Sequence, residues 1–238
     1  MRKMLTVARR ELAGYFFSPM AYVKGASFLL AASLWFFAMI FQPGQPATLR
    51  PLFEGIAYLM VLTIPLLTMK LLSEEVRSGT IETLMTAPIT ETQVILGKFL
   101  GAWVFFLALL AGTGVYLGLM IAYGQPDPGV AAMGYLGMVL LGAAFLAVGL
   151  FASSLTRHQA VADITAMGIL AVLTFGMQLL AMHGPDALRS FATRLNMFTY
   201  LREFFRGVFD LRGAVFLLSV TALFLFLSVK SLESRRWR

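Results

Sequence analysis

The sequence predicts an all-α membrane protein with six transmembrane helices in one transmembrane domain that covers residues 1–238. Three observations support this fold class. Apolar residues make up 59% of the 238 residues, charged residues make up only 13%, and the apolar residues fall in six long runs. A soluble domain carries about 25% charged residues. The runs do not alternate apolar and polar residues as the strands of a membrane β-barrel do, so they are expected to be helices.

A transmembrane helix needs about 20 predominantly apolar residues. Basic residues precede the first run, but that run is too long for the apolar part of a signal peptide, and we expect it to be retained. Thr90 and Gln93 form a capping box that predicts the start of the third span. The six spans are expected at residues 20–41, 51–72, 93–123, 129–156, 162–182 and 213–232.

The distribution of basic residues predicts the orientation of the chain. With six spans, both termini lie on the same side of the membrane. That side would hold thirteen of the 19 lysines and arginines. Since basic residues accumulate in cytoplasmic segments, both termini are expected in the cytoplasm. Five of the remaining arginines lie in one connection, residues 183–212, where Asp186, Glu203 and Asp210 offset part of their charge.

Residues 1–19 form an amphipathic stretch that precedes the first span. Apolar side chains recur there at helical spacing, and basic side chains lie between them. Such a helix can lie at the membrane surface, with its basic side toward anionic lipid. The alternative interpretation is a basic flank that only sets the topology. The apolar positions are Leu5, Ala8, Leu12, Tyr15 and Phe16.

The connection between the second and third spans, residues 73–92, is the most polar part of the chain. Ser78, Gly79 and Thr80 predict a turn or a helix start, and Pro88 predicts a helix end. Between them, Ile81, Leu84 and Met85 give a short apolar face. A tight connection needs about four residues. The extra length predicts that another molecule docks on this segment, and the alternative is a solvated loop.

Residues 183–212 are predicted to form an external amphipathic segment, with a break near Asn196. Its apolar residues recur every three or four positions, and arginines lie mostly between them. We expect this segment to lie along the outer membrane–water boundary, with Phe205 and Phe209 in contact with the interface. The recurring residues are Leu188, Phe191, Leu195, Phe198, Leu201, Phe205 and Phe209.

Several classes of chemistry find no support in the sequence. There is no cysteine, and the two histidines, His158 and His183, lie in no metal-binding pattern. There is also no Gly-x-Ser-x-Gly motif and no phosphate-binding Gly-x₄-Gly-Lys-Ser/Thr loop. No charged residue lies near the centre of a span, which disfavours an ion-coupled transporter. An intramembrane enzyme is disfavoured because no catalytic group is evident.

Small residues recur at spacings that permit close helix packing. Two Gly-x-x-x-Gly pairs lie in the third span, Gly97 with Gly101 and Gly114 with Gly118. We expect these glycines to serve packing within the bundle, with a dimer contact as the alternative. Further glycines in the fourth span are Gly134, Gly137, Gly142 and Gly149.

Three sequence blocks, spread over the length of the chain, form a distinctive pattern. The first runs Arg10-Glu11-Leu12-x-x-Tyr15-Phe16-x-Ser18-Pro19-x-Ala21-Tyr22. The second runs Glu74-Glu75-x-Arg77-x-Gly79-Thr80-x-Glu82-x-Leu84-x-x-x-Pro88, with Gly97-Lys98 following. The third runs Arg206-Gly207-Val208-Phe209-Asp210 and continues to Leu232-Glu233-Ser234-Arg235-Arg236-Trp237. Together they resemble the permease subunit of type-2 ABC exporters, in the branch named for gliding motility and nitrous-oxide-reductase maturation. The middle block marks the superfamily, and the two outer blocks mark the branch.

The resemblance implies a role for each of the three polar segments. The N-terminal stretch, with Arg9, Arg10, Glu11, Tyr15 and Phe16, would be an interfacial elbow helix. The external stretch would be short helices that cap the pathway, with Phe198, Phe205, Arg206, Phe209 and Asp210. The coupling helix would contact a separate ATPase. The residues assigned to this coupling segment are Glu74, Glu75, Arg77, Gly79, Thr80, Ile81, Glu82, Leu84, Met85 and Pro88.

The resemblance also implies partners. Two permease copies, or one copy and a paralogue, would pair above two ABC ATPase subunits that bind ATP and magnesium. An auxiliary membrane subunit with a large external domain often belongs to such complexes. This chain would itself be non-catalytic, hold no cofactor, contact membrane lipid but no nucleic acid, and lie in the bacterial inner membrane.

Two alternative functions stay open at this point. The same fold can use ATP-driven motion to act on a partner as an assembly scaffold, without passing a solute. A close-packed dimer seam without polar lining would favour that interpretation. The chain could also be a secondary transporter or channel that is independent of ATP, and co-purification with an ATPase would exclude this function.

Overall fold

The computed structural model describes residues 2–40, 48–80 and 89–235, and within these ranges it contains helices and no β-strand. Six helical segments are long and apolar enough to cross a membrane. The predicted fold class, an all-α bundle with six spans, is therefore confirmed. In chain order the helices are α1 (Arg2–Phe16), α2 (Pro19–Met39), α3 (Arg50–Thr68), α4 (Ser73–Ser78), α5 (Glu91–Gly112), α6 (Gly114–Tyr123), α7 (Pro128–Leu155), α8 (Gln159–Ala171), α9 (Met177–His183), α10 (Asp186–Leu195), α11 (Met197–Phe205) and α12 (Leu211–Arg235).

The fourth span, α7, is the centre of the bundle. It packs against α3, α5, α8, α11 and α12. Its glycines permit these contacts, because an added methyl group would collide with a neighbouring side chain at each position. The glycines of α7 are thus used within the chain, as expected, and not at a dimer contact. The collisions would be with Phe53 at Gly134, with Phe204 at Gly137, with Phe106 at Gly142 and with Thr68 at Gly149.

Three spans lie at the periphery of the bundle. They are α2, the fifth span (α8 with α9), and α12, and most of their residues are not buried within the chain. Large apolar side chains such as Leu34, Ile164 and Val215 are more than half exposed. In a bilayer, these faces contact lipid or another membrane subunit.

The second and third spans each contain a break in the helix. The second span leaves the helical path after Thr68, three residues past Pro65, and resumes as α4 at Ser73. The third span is divided into α5 and α6 at Thr113. The predicted cap at Thr90 is present, since the Gln93 backbone N–H donates to the Thr90 hydroxyl (3.3 Å), and α5 begins at Glu91, two residues before the predicted bound of the third span. In the fifth span, a π-helical turn at Val172–Gly176 joins α8 to α9.

The predicted break at Asn196 is confirmed, and it separates α10 from α11. The Asn196 side chain accepts a hydrogen bond from the Phe198 N–H (2.9 Å) and so caps α11. The expectation that Phe205 contacts the membrane interface is wrong. Phe205 is buried in the bundle, where its ring stacks on Phe53 at 5.6 Å. The reason is the close approach of α11 to α7 at Gly137. Phe209, in contrast, is more than half exposed, as expected.

Candidate functional site

The most polar part of the described bundle lies where the second span is interrupted. We call residues 66–79, from the last turn of α3 to the end of α4, the α3–α4 junction. The last carbonyls of a helix have no partner within the helix and must be satisfied from elsewhere. Here the Tyr15 hydroxyl donates to the Leu67 carbonyl (2.8 Å), and the Lys24 ammonium donates to the Leu66 carbonyl. Side chains from α1 and α2 thus complete the end of α3.

The fourth span contributes one buried hydroxyl group to the same junction. Ser153 accepts hydrogen bonds from the backbone N–H groups of Leu72 (3.0 Å) and Ser73 (3.1 Å), and its hydroxyl donates to the Met69 carbonyl (3.1 Å). One side chain of α7 therefore satisfies three backbone groups that the helix interruption leaves free. Buried backbone groups without a partner would cost about 1–3 kcal/mol each.

A buried ion cluster joins α4 to α1 and α5. The Lys98 ammonium lies 2.6 Å from a carboxylate oxygen of Glu11 and 2.8 Å from one of Glu75. The Lys98 side chain is only 2% exposed, and those of Glu11 and Glu75 are 18% and 12% exposed. Arg10 approaches the same Glu75 oxygen at 3.6 Å. We call Glu11, Glu75 and Lys98 the buried ion cluster.

Charge balance explains why the cluster is tolerated in the protein interior. A buried ion costs several kcal/mol unless an opposite charge and hydrogen bonds compensate it. Two carboxylates face Lys98, and Arg10 brings the local sum of formal charges to zero. The other Glu75 oxygen, Oε2, is buried and has no hydrogen-bond partner among the described residues. The three cluster residues are thus mutually dependent, although they come from three separate segments of the chain.

The other glutamate of α4, Glu74, is held by the fifth span. Gln159, at the start of α8, donates a hydrogen bond to Glu74 (3.1 Å). Arg77 lies 3.7 Å from the other oxygen of Glu74, and both side chains of this pair are largely exposed. An exposed pair of this kind contributes little to stability. The contact with Gln159 is more informative, because it links α4 to a further span.

The chain leaves α4 through a glycine in the left-handed region, as the predicted turn requires. Gly79 has φ +72° and ends α4, and the hydroxyls of Ser78 and Thr80 lie 2.9 Å apart beside it. Arg77, Ser78, Gly79 and Thr80 are exposed. Five of the predicted coupling residues lie outside the described residues, namely Ile81, Glu82, Leu84, Met85 and Pro88.

Replacing Gly79 with alanine is expected to destabilise this turn by about 1 kcal/mol, since a Cβ disfavours positive φ. Among the described residues, apart from Gly79 and its chain neighbours, no atom lies within 4 Å of the added methyl group, so we attribute the effect to the backbone conformation. Gly79→Asn is the matched control, because asparagine adopts this conformation more readily. Chemical unfolding in detergent would measure both variants, and equal stability of the alanine and asparagine variants would contradict the expectation.

Helix α1, the predicted elbow helix, packs along the first turns of α5. An added methyl group at Gly97 would lie 2.7 Å from Val7 Cβ, and one at Gly101 would lie 2.9 Å from the Ala8 carbonyl oxygen. The glycine pair therefore lets the two backbones approach closely. The inward face of α1 includes Glu11, which the predicted apolar face did not contain, whereas Leu5 and Phe16 are 52% and 42% exposed.

The other predicted residues of α1 divide between the bundle and solvent. Tyr15 stacks on Phe105 at 4.7 Å, and Phe16 contacts the same ring edge-on. Burial of the hydroxyl group and the negative charge of Glu11 raise the pKa of Tyr15 above its ordinary value, so the phenol stays a hydrogen-bond donor. Arg9 and Arg10 are exposed.

Two of the predicted external residues, Phe198 and Phe205, line a cavity at the other end of α3. This cavity of about 160 Å³ is lined by the buried rings of Phe198 and Phe205 and by polar groups. A neighbouring cavity of about 320 Å³ lies beside the π-helical turn. Tyr58 and Gln178 line both cavities, so we treat the two cavities as one groove. The polar groups of the smaller cavity are Glu54, Tyr58, Gln178 and Arg202.

The remaining external residues shape the chain between α11 and α12. Gly207 has φ +82° and ends α11, and Arg206 pairs with Glu203 (3.1 Å). The Asp210 carboxylate accepts hydrogen bonds from the backbone N–H groups of Arg212 (3.0 Å) and Gly213 (3.1 Å). Asp210 therefore caps α12, which is a structural role.

Four residues that contact the α3–α4 junction were not predicted as site residues. They are Lys24, Lys98, Ser153 and Gln159, and each lies in a different span. Lys98 could have been recognised from the sequence, because it is a lone cation that follows a glycine inside an apolar helix. The other three residues could not have been recognised, because only the tertiary structure brings them to α3 and α4. Within the described ranges, no three His, Asp or Glu side chains come together as metal ligands would.

Comparison with known proteins agrees with this architecture. Residues 7–228 match the family model described as ABC-2 family transporter protein. The chain is also 32% identical, over 192 residues, to the protein from Pseudomonas aeruginosa described as a probable ABC transporter permease protein NosY. That alignment covers 74% of this chain and 69% of the relative. The chain therefore belongs to the ABC-2 transporter family and is a multi-pass, NosY-like permease subunit of an ABC transporter.

Proposed function

We propose that this chain converts ATP hydrolysis in a separate ABC ATPase into movement of its transmembrane helices. The observation that carries the proposal is the α3–α4 junction, which α1, α2, α5, α7 and α8 all contact through specific side chains. The segment that begins at Gly79 continues from this junction, and it is the segment expected to dock on the ATPase.

The geometry suggests how a movement is transmitted. A displacement of α4 acts on Glu75, and the buried ion cluster carries it to α1 and α5 because Lys98 cannot leave either carboxylate without exposing an unpaired charge. The same displacement acts on α7 through Ser153 and on α8 through Gln159. Several spans then move together when the ATPase moves one short segment.

The proposal assigns the nucleotide chemistry to the partner. This chain has no phosphate-binding loop, so ATP and magnesium would bind in the ATPase subunit. The working complex would contain two identical or related permease chains and two ATPases. It would also contain an auxiliary membrane subunit, as complexes often do in the family branch that this sequence resembles. The excess of basic residues at the termini supports placing both termini in the cytoplasm and the chain in the inner membrane.

The groove at the other end of α3 favours transport over a purely mechanical role. Its aromatic and polar side chains, among them Tyr58, Glu54 and Arg202, could contact a solute that carries both apolar and polar groups. An assembly scaffold would not need such a lining. If labelled solutes never appear across the membrane while ATP is hydrolysed, the scaffold function would be preferred.

Reversal of charge at Glu82 tests the proposed coupling. Glu82→Lys should reduce the ATPase activity of the assembled complex about tenfold, because a charge pair or contact with the ATPase would become repulsive. Membrane insertion should be unchanged. Asp186→Lys is the matched control, since it makes the same charge change at a fully exposed position in α10. Equal activity of both variants and the parent complex would refute the role of Glu82.

A further inference from the structure

A polar cavity of about 220 Å³ lies beside the α3–α4 junction, between the end of α1, the start of α2 and the end of α3. We call it the lysine cavity. Lys24 and Lys70 line it together with Tyr15, Ser18 and Met20. The three glutamates in its wall and Lys98 are those of the junction already described. The lysine cavity is not fully enclosed, so a ligand can reach it.

The charges in the wall leave two cations without a close counterion. Glu11 and Glu75 are paired with Lys98, and Glu74 accepts from Gln159 and faces Arg77. Within residues 2–40, 48–80 and 89–235, neither Lys24 nor Lys70 has a carboxylate within 4.0 Å. The lysine cavity therefore offers two ammonium groups to an incoming anion.

The electrostatic surroundings of Lys24 are consistent with an anion between the two lysines. Lys24 donates to the Leu66 carbonyl and is repelled by the charge of Lys70. Asp163, at the start of α8, attracts Lys24 from beyond ion-pair distance, so it offsets only part of the positive charge. An anion beside both lysines would remove their mutual repulsion, and a phosphate group has enough oxygen atoms to accept from both.

The apolar surface next to the cavity indicates what carries the phosphate. Met20, at the cavity wall, is 55% exposed and begins the outer face of α2. Along this face, Val23, Leu30, Leu34 and Phe37 are all more than half exposed and recur at helical spacing. An anion-binding site that continues into a membrane-facing apolar stripe matches a phospholipid, whose headgroup and acyl chains are joined in the same way.

We propose that the lysine cavity binds the phosphate of an anionic phospholipid headgroup, with Lys24 and Lys70 as its ligands and the acyl chains along α2. The bound lipid would join the start of α2 to the end of α3 and so stabilise the α3–α4 junction. The proposal requires only that the chain lies in a bilayer, and it is independent of the coupling role proposed above.

The test is phospholipid binding by the purified full-length chain, measured by native mass spectrometry after titration with phosphatidylglycerol. Lys24→Gln/Lys70→Gln should weaken binding about 25-fold, as expected for two lost contacts at about fivefold each. Arg157→Gln/Arg194→Gln removes two exposed charges that lie outside both the elbow helix and the lysine cavity, and it should leave binding unchanged. Equal affinity of the two double variants would overturn the proposal.

A second variant blocks the cavity without changing its charge. Gly14 lines the lysine cavity, and no atom of the neighbouring described residues lies within 4 Å of an added Cβ, so Gly14→Trp should fold and occupy the space. It should also lose phosphatidylglycerol, and retained binding would overturn the assignment of the lipid to this cavity. Competition with inorganic phosphate at millimolar concentration tests whether the bound phosphate group belongs to a lipid or is free phosphate. If the lipid is not displaced, the cavity is a lipid site. Full displacement would show a site for free phosphate and contradict the proposal.

Discussion

Replacing Lys98 with methionine is expected to destabilise the protein by about 3–5 kcal/mol, because it leaves two buried carboxylates without their cation. Methionine has a similar length and fits the same space, so the effect comes from the lost charge. Glu11 and Glu75 would repel each other or take up protons, and α1 and α4 would lose their common attachment to α5. The free energy of unfolding in mixed detergent micelles would measure the loss.

A triple variant provides the control for this expectation. Lys98→Met/Glu11→Gln/Glu75→Gln removes all three charges while it keeps similar side-chain volumes, and most of the lost stability should return. Recovery would show that the unpaired carboxylates, rather than a packing defect, cause the loss. A Lys98→Met protein within 0.5 kcal/mol of the parent would contradict the structure of the buried ion cluster; that limit is roughly the effect of an ordinary surface substitution.

Replacing Gly101 with isoleucine is expected to displace α1 from α5 and to destabilise the bundle by about 1–3 kcal/mol. The new Cβ would lie 2.7 Å from Glu11 Cβ, 2.9 Å from the Ala8 carbonyl oxygen and 3.3 Å from the Leu12 nitrogen. Two of these atoms belong to the backbone of α1 and cannot move without moving the helix. Glu11 would then leave Lys98, which adds to the loss.

The distance between spin labels at Arg9 and Arg157 would report the position of α1. Both residues are exposed, and the chain has no native cysteine, so two introduced cysteines are the only labelling sites. The distance distribution should broaden or shift in Gly101→Ile. In Gly118→Ile it should not change, because no neighbouring atom in the described part of the chain lies within 4 Å of a Cβ at Gly118. Identical distributions in the two variants would show that Gly101 does not position α1.

Much of the fold could be predicted because it depends on local composition. Runs of apolar residues specify the six spans, and short-range capping by Thr90 and Asn196 specifies where two helices begin. The left-handed turn at Gly79 is similarly local. In these cases, the residues that cause the structure are neighbours in the sequence.

The polar junction could not be predicted for the opposite reason. Lys98 pairs with Glu11, 87 residues away, and with Glu75, 23 residues away. Ser153 meets the backbone of Leu72 across 81 residues. The two Gly-x-x-x-Gly pairs of the third span look alike in sequence, yet only Gly97 and Gly101 receive another helix. Phe205 was assigned to the membrane interface because a periodic apolar face does not reveal whether lipid or protein covers it.

The central claim is that the segment following the α3–α4 junction contacts the ABC ATPase on the cytoplasmic side. A single cysteine at Thr80, which is exposed, tests it most directly in the assembled complex. We expect a short bifunctional cross-linker to join this cysteine to the ATPase subunit, and a membrane-impermeant thiol reagent to reach it only from the cytoplasmic side. Labelling from the outside, or a complex in which Thr80→Cys forms no cross-link to the ATPase, would contradict the claim.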